Sequence, residues 1–332
     1  DHGRRRSQRS LRGRSPGIQQ LMARILILAP FAPEQLRLLG EAATVTYESW
    51  LDTRRIQDPD DLTARLRDER TAVLVVESDF VFDDLLDQTP DLRLVGVCRS
   101  SVDHVDVAAA TRNGVVVVNA PGRNARAVAE HCLGLMLALA RRIPAADRYV
   151  REGHWQNPAE PYISMRGIEL SGRNLGLVGL GAIGGTLAEI GLAMGMRVLA
   201  FDPYVAQAPD GVALGDLETL MGQSDFVSVH VPSVPETQRL VNERLLARMK
   251  PTAFLVGASD ASVFQQDALV KALGDNRIAG AAFDVFETHP VSLESPLTKL
   301  DNVLLSPHLG GATAETVDRH SRMMTEDILR FL

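Results

Sequence analysis

The hydrophobic pattern of the chain alternates short apolar, β-branched runs with longer stretches of helical period. In the first third, several helical stretches begin at an acidic residue or a proline, which are helix start signals. Alternation of this kind predicts βαβ units on a parallel sheet. The predicted strands here are residues 25–28, 44–47, 72–76, 94–98 and 115–119, and the predicted helices are residues 33–41, 58–67, 82–87 and 105–112.

A second alternating series follows a Pro-Gly break at residues 121–124. It opens with a predicted long helix, residues 125–142, that is apolar nearly all round between residues 132 and 140. Such a helix is buried on more than one side, which a subunit interface or a domain junction would provide. Further strands are expected at residues 174–178, 197–202, 226–231, 253–256, 279–283 and 303–305, with helices at 243–249 and 265–273 and a last helix at 314–332. The predicted fold class is therefore α/β.

Residues 174–202 read as strand, glycine loop, helix and strand, and they carry the strongest chemical signal. The first glycine of the loop permits a tight turn, the second lets the backbone approach a pyrophosphate, and the third lets the helix pack on the strand. The acidic residue ending the next strand suits a ribose 2′-hydroxyl and repels a 2′-phosphate, which favours NAD over NADP. A glycine-rich turn of another α/β protein is the alternative. The predicted NAD-binding residues are Gly179, Gly181, Ala182, Ile183, Gly184 and Asp202.

The charge of the chain is unevenly distributed. The formal net charge of the 332 residues is −7, but residues 1–21 alone carry +5, so the remainder carries −12. An acidic body argues against nucleic acid as a partner. The basic tail precedes the first strand-like run, and we interpret residues 1–21 as a leader outside the native fold rather than a binding arm.

The amino-acid composition further limits the class of protein to which the chain can belong. With 45% apolar residues the chain fits a globular protein, and its longest apolar stretch is too short to span a bilayer. Cys98 and Cys132 lie in apolar segments without metal-ligand spacing. They are expected to be reduced thiols of a cytoplasmic protein without a membrane partner.

With these stretches placed, residues 22–332 resemble the D-isomer-specific 2-hydroxyacid dehydrogenases, the family that includes D-3-phosphoglycerate dehydrogenase. The motifs that carry the resemblance are Val-Asp-His-Val-Asp at 102–106, Asn-Ala-Pro-Gly-Arg-Asn at 119–124, Val-Ala-Glu-His at 128–131, the glycine loop with its aspartate, His-Val-Pro at 230–232, Pro-Glu-Thr at 235–237, Asp-Val-Phe at 284–286 and Ser-Pro-His-Leu-Gly-Gly at 306–311.

The resemblance implies an architecture. In that family a Rossmann NAD-binding domain is inserted into a flavodoxin-like substrate domain. Here this corresponds to residues 121–308 for the NAD-binding domain, and residues 22–120 with 309–332 for the substrate domain. The resemblance also implies a homodimer through helix 125–142.

The resemblance implies chemistry as well. The family transfers a hydride between nicotinamide and C2 of a small 2-hydroxy or 2-keto acid. A histidine passes the proton, a neighbouring glutamate supports it, and an arginine holds the substrate carboxylate and polarises the carbonyl. His308 matches the histidine, while His131 and His230 are expected to have structural roles. The remaining cofactor contacts implied are Val231, Pro232, Thr237, Ala258, Ser259 and Asp284.

Two catalytic positions depart from the family pattern. Asp260 stands where the resemblance places the arginine, and His289 stands where it places the glutamate. Two unit charges about 4 Å apart interact by roughly 4 kcal/mol at an effective dielectric of about 20, so exchanging a cation for an anion changes the barrier by several kcal/mol. Arg99, followed by Ser100 and Ser101 in the matching substrate loop, is a candidate replacement for binding a substrate carboxylate; the alternative is a solvated surface arginine.

Three hypotheses follow for the function. The first is an NAD-dependent oxidoreductase acting on a small hydroxy or keto acid, with His308, His289 and Asp260 as the altered catalytic set. The second is an NAD(H)-binding pseudoenzyme. The third is different chemistry at the same cleft, in which those three side chains bind a metal or Asp260 receives a cationic substrate.

Overall fold

The computed structural model describes residues 22–332, and the interpretation of residues 1–21 as a leader lies outside the described residues. The described chain forms two compact units. The first contains the residues up to Asn119 together with Ser321–Leu332, and the second contains Ala120–His320. No helix within residues 22–332 is both long and apolar enough to cross a bilayer.

The first unit is a five-stranded parallel sheet with the strand order β2-β1-β3-β4-β5. This is the flavodoxin-like order, whose switch point lies between β1 and β3. Its strands are β1 (Arg24–Ile27), β2 (Thr44–Tyr47), β3 (Val73–Val76), β4 (Leu94–Val97) and β5 (Val116–Asn119), and its helices are α1 (Pro33–Ala42), α2 (Trp50–Thr53), α3 (Pro59–Asp68), α4 (Asp83–Gln88) and α5 (Val107–Arg112).

Sequence signals explain these elements well. Strands β3 and β4 are buried at every position, as their continuous apolar runs require. Asp58 accepts hydrogen bonds from the N–H groups of Asp60 and Asp61 and caps α3, as its position predicts. Residues 321–332 return to this sheet, where a Cβ on Gly96 would lie 3.1 Å from Met324 Sδ. The short helix α2, capped by Ser49, has no counterpart in the sequence prediction.

The second unit is a seven-stranded parallel sheet with the order β12-β11-β10-β9-β6-β7-β8. This is the Rossmann order extended by one strand, and its switch point lies between β6 and β9. Its elements are α6 (Ala125–Arg141), α7 (Ile143–Arg151), α8 (Ala159–Ser164), β6 (Asn174–Val178), α9 (Ala182–Ala193), β7 (Arg197–Phe201), β8 (Val212–Leu214), α10 (Leu217–Gln223), β9 (Phe226–Val229), α11 (Glu243–Leu246), β10 (Phe254–Gly257), α12 (Gln266–Gly274), β11 (Gly280–Phe283) and β12 (Val303–Leu305). The last helix, α13 (Ala314–Phe331), begins in this unit, and its residues from Ser321 onward belong to the first unit.

The two strand orders confirm the predicted α/β fold class. Strand β9 ends two residues earlier than predicted, just before the segment containing Pro232, which has no N–H for the ladder. Elements α7, α8, β8 and α10 were not predicted. Helices α7 and α8 contain no buried residue, and the sequence prediction missed α7 even though its sequence is amphipathic.

Helix α6 is buried by elements of its own unit. It packs against α9, β10 and β11, and Cys132, Met136 and Ala129 are completely or almost completely buried there. The apolar character of residues 132–140 therefore needs no second subunit to explain it.

Candidate functional site

The glycine loop between β6 and α9 has the geometry of a phosphate cradle. Gly179 has φ +96°, and a Cβ there would lie 2.8 Å from the carbonyl oxygen of His230. A Cβ on Gly184 would collide with the carbonyl oxygen of Gly179. These two glycines are therefore required by the fold itself.

Gly181 differs from its neighbours. A Cβ there would meet no atom within 4 Å, and its φ of −72° suits any residue. The protein's own packing gives no reason for glycine at this position. The space above it lies at the N-terminus of α9, where the free N–H groups of Ala182 and Ile183 favour an anion. The loop thus fits the pyrophosphate of a dinucleotide.

Asp202 directly follows β7 and has both carboxylate oxygens engaged. The N–H of Leu180 donates to Oδ2 at 2.9 Å, and the N–H of Tyr204 donates to Oδ1 at 2.9 Å. The carboxylate therefore fixes the glycine loop as well as standing where a ribose would bind. The sequence motif predicts the second role and does not reveal the first.

His230 lies beneath this loop and is half-buried. Its Nε2 is 2.8 Å from Ser228 Oγ, while Nδ1 is buried and has no hydrogen-bond partner among residues 22–332. Burial lowers the pKa of His230 to about 4, so the ring is neutral at physiological pH. Burial likewise raises the pKa of Cys132 to about 12. His230 is thus a structural histidine below the cradle, as expected.

The other expected cofactor residues follow β9 and β10, next to the switch point. Thr237 donates its hydroxyl to the carbonyl oxygen of Pro232 at 2.6 Å and so closes the turn after β9. Val231 and Ala258 are half-buried, and Ser259 Oγ is buried without a hydrogen-bond partner in the described chain. These residues therefore lie along one edge of the sheet, where open α/β sheets bind their ligands.

The carboxyl ends of β10, β11 and β12 bring the three expected catalytic residues to that same edge. Asp260, His289 and His308 follow these neighbouring strands in turn, and all three are exposed. The imidazole centroids of His289 and His308 are 5.2 Å apart at 42°. His289 therefore lies beside His308 in the structure.

Asp284 is buried and anchors the segment that presents His308. Its carboxylate accepts hydrogen bonds from Ser306 Oγ at 2.6 Å, from the N–H of Leu309 at 2.9 Å and from the N–H of Gly310 at 2.7 Å. Burial raises the pKa of this carboxyl, but His131, Ser306 and the two backbone donors outweigh it and hold the pKa well below its usual range. Asp284 is therefore ionised and fixed.

His131 completes this network. Its Nε2 lies 3.0 Å from Ser306 Oγ and 3.4 Å from Asp284 Oδ1. Helix α6 thus supplies a second support for the segment carrying His308. The sequence analysis assigned His131 a structural role, but the partners lie more than 150 positions away in the chain and no local pattern reveals them.

Asp260 caps a 3₁₀ turn, Ala261–Val263, and accepts the N–H of Ser262 at 2.9 Å. No arginine or lysine within residues 22–332 forms an ion pair with Asp260. Its negative charge is therefore held in place and is not neutralised by a neighbour. The described residues contain no group of three or more side chains able to hold a metal, so Asp260, His289 and His308 do not form the metal site considered above.

The first unit carries the expected substrate loop after β4. Arg99 is exposed, and its guanidinium donates a long hydrogen bond of 3.4 Å to Ser78 Oγ. The carbonyl oxygen of Ser100 accepts a hydrogen bond from the side chain of Asn119. Ser101 Oγ accepts the N–H of Asp103. Arg99 is thus available to an anion. Sequence reasoning missed two buried groups at this edge: Glu77, which accepts from Trp50 Nε1 at 3.1 Å, and Asp79, whose pKa is raised by burial.

The fold and the glycine cradle define a two-unit α/β protein that binds a dinucleotide. Residues 133–310 match the family model of the D-isomer specific 2-hydroxyacid dehydrogenase NAD-binding domain. The chain is 39% identical over 277 residues to a glyoxylate reductase of Thermofilum pendens, covering 82% of this chain and 81% of that protein. The chain therefore belongs to the D-isomer-specific 2-hydroxyacid dehydrogenase family, and its NAD-binding domain is the Rossmann unit.

Other relatives agree with this assignment. The chain is 38% identical over 297 residues to D-3-phosphoglycerate dehydrogenase of Synechocystis, covering 89% of this chain but 51% of that protein. The chain thus spans about half the length of this relative. Among solved structures, D-lactate dehydrogenase from Aquifex aeolicus, complexed with NAD and lactic acid, has a TM-score of 0.74 and 25% identity, covering 93% of this chain and 95% of the other.

The contrast between Gly181 and Gly184 predicts separable effects. Gly181→Ala is expected to weaken NADH binding about tenfold or more, because its methyl group occupies the space for the pyrophosphate, while the melting temperature stays unchanged. Gly184→Ala is expected to lower the melting temperature, because its methyl group collides with the loop. NADH fluorescence titration and thermal unfolding measure the two effects. Loss of stability in Gly181→Ala would contradict this assignment.

The lowered pKa of His230 predicts a loss of stability in acid. Its folded pKa of about 4 lies below the unfolded value, so the unfolded state binds more protons between about pH 6.5 and pH 4 and stability falls with pH there. The free energy of unfolding should drop by about 2 kcal/mol between pH 7.5 and pH 5 from this group. Urea titrations should show that His230→Gln lacks this contribution, whereas the exposed control His154→Gln keeps it.

Proposed function

We propose that this protein is an NAD-dependent oxidoreductase that transfers a hydride to or from C2 of a small carboxylate-bearing substrate of the 2-hydroxy or 2-keto acid type. The observation that carries the proposal is the placement of the His289–His308 pair at the sheet edge that also carries the dinucleotide cradle. The glyoxylate reductase and D-lactate dehydrogenase relatives act on, or are named for, substrates of this class. They support the reaction type.

When bound, NAD would supply the chemistry of hydride transfer at its nicotinamide ring. His308 gives or takes the proton at the substrate heteroatom, with Asp284 fixing the segment that presents it. His289 orients the imidazole of His308 from the side. Asp202 recognises the ribose hydroxyls and disfavours a 2′-phosphate, so NAD is preferred over NADP.

We assign substrate binding to Arg99 with the backbone N–H groups of Ser100 and Ser101, because a guanidinium and backbone amides suit a carboxylate. In this assignment residues 22–120 with 309–332 form the substrate domain, and residues 121–308 form the NAD-binding domain. Among the described residues Cys98 and Cys132 are both buried and neither forms a disulfide, which supports a cytoplasmic location.

A second candidate function is NAD(H) binding without turnover. The changes at Asp260 and His289 favour it, because the arginine and glutamate that the family uses are both replaced. Cofactor turnover separates the two candidates. Calorimetry should show NADH binding under either candidate, and only the oxidoreductase oxidises NADH in the presence of a substrate.

The partner we propose is a second copy of this chain, joined through helix α6 and the segment that follows it. The outer face of α6 carries the exposed ion pair Arg126–Glu130, so α6 alone offers little apolar surface. Beyond it, Ile143, Tyr162 and Ile163 are exposed by 53%, 76% and 70%. Large exposed apolar side chains are typical of an interface.

The two altered catalytic positions can be tested by restoring the arginine and glutamate of the family. The double variant Asp260→Arg, His289→Glu is expected to reduce glyoxylate at least about tenfold faster than the parent, because a cation then faces the developing oxyanion. NADH oxidation at 340 nm measures the rate. The single variant Asp260→Asn is the control, since it removes the anion without supplying a cation. Equal rates for the parent and the double variant would show that these positions do not set the activity.

The proposed interface predicts a dimer that point charges disrupt. Analytical ultracentrifugation should give twice the mass of the 36.1 kDa chain. Ile163→Asp should yield monomers, because it buries an unpaired charge at the interface, while the exposed Leu293→Asp should remain dimeric. A monomeric parent protein would overturn the assignment.

A further inference from the structure

The charge at position 260 bears on which substrate the site takes. The resemblance places a guanidinium here, and the chain has a carboxylate that is fixed by Ser262 and has no cationic partner in the described residues. It lies at the end of β10, beside the strands that lead to His289 and His308. An uncompensated anion has thus replaced a cation at the reacting edge of the sheet.

A carboxylate opposes the reduction of a ketone. As a carbonyl carbon accepts a hydride, its oxygen becomes negative, and the transition state needs a cation or a proton donor beside that oxygen. A carboxylate at position 260, where the resemblance places the guanidinium, would put a like charge there instead. The same carboxylate suits a C=N group, because an imine accepts hydride readily in its protonated, positively charged form, and a neighbouring anion favours that form.

We propose that the substrate of this site is a 2-imino acid, bound as its iminium ion, rather than the free 2-keto acid. This inference rests on the proposed oxidoreductase function. The 2-imino acid forms when a 2-keto acid condenses with ammonia or a primary amine, which releases water. Asp260 contacts the iminium nitrogen in this assignment.

The reaction balances without a further reactant. The imine carbon gains the hydride that reduced NAD provides, and a carbon–hydrogen bond forms. The π electron pair of the C=N bond moves to nitrogen, which neutralises its positive charge. The resulting amine accepts one proton from His308 and leaves as an ammonium ion, while the cofactor is released oxidised.

The experiment compares three substrates on the full protein with NADH: pyruvate alone, pyruvate with methylammonium, and a five-membered cyclic 2-imino acid that contains no free ketone. Oxidation of NADH is expected with the second and third and to be at least about tenfold slower with the first. Mass spectrometry should identify N-methylalanine as the product of the second mixture.

Variants connect the result to Asp260. Asp260→Asn keeps an oxygen for the N–H of Ser262 and removes the charge, so imine reduction should fall about tenfold or more in kcat/KM while the Kd for NADH stays unchanged. Asp275→Asn, an exposed aspartate after α12, is the matched control and should match the parent.

The outcomes separate the two proposals. Equal rates with and without methylammonium, or an unaffected Asp260→Asn variant, would overturn the imine assignment and leave the oxidoreductase function standing. NADH binding without oxidation by any of the three substrates would overturn the oxidoreductase function and this inference together.

Discussion

The buried carboxylate of Asp284 is the group on which the reacting edge of the Rossmann unit depends. It accepts three hydrogen bonds from the segment around His308, and its own backbone oxygen accepts the N–H of His308 at 2.9 Å. His308 has φ +57°, a conformation that costs energy for a residue with a side chain. The bonds to Asp284 offset that cost and so set the direction in which His308 leaves the sheet.

The parallel sheet brings the segment held by Asp284 together with other segments of the site. Strands β9 to β12 are neighbours and all end at the same edge, so segments far apart in sequence meet there without any long-range motif. Helix α6 closes the arrangement from outside, because His131 reaches both Ser306 and Asp284. Truncating Asp284 would remove the acceptor of the N–H groups of Leu309 and Gly310, so this carboxylate holds the segment in place.

The parts of the site that depend on local sequence could be predicted, and the parts that depend on long-range pairing could not. The glycine loop with Asp202 and the strand alternation were identified because each rests on residues close together in the chain. The bonds from Asp202 to Leu180 and from His131 to Ser306 cross 22 and 175 positions and leave no periodic signal. Helix α7 was missed although its sequence is amphipathic, and α8 has only six residues, too few to show a helical period.

The hydrophobic pattern of α6 also shows how much a sequence can predict about burial. An all-round apolar helix predicts burial but does not say by what, and the sheet and α9 of the same unit account for it. The interface hypothesis therefore depends on Ile143, Tyr162 and Ile163, which belong to segments that the pattern did not assign.

The two substitutions at the reacting edge are most informative when they are taken together. The family's arginine and glutamate have opposite charges that cancel, whereas Asp260 brings a carboxylate in place of the guanidinium and His289 brings no carboxylate. His289, whose ring centroid lies 5.2 Å from that of His308, cannot supply the anion that a protonated imidazole favours, and the carboxylate of the proposed site therefore follows β10 instead of β11. A site in which a carboxylate stands in place of a guanidinium complements a more positive substrate. A 2-keto acid carries one negative charge and its iminium counterpart carries none, and the proposed imine substrate therefore differs from the keto acid in the direction that Asp260 favours.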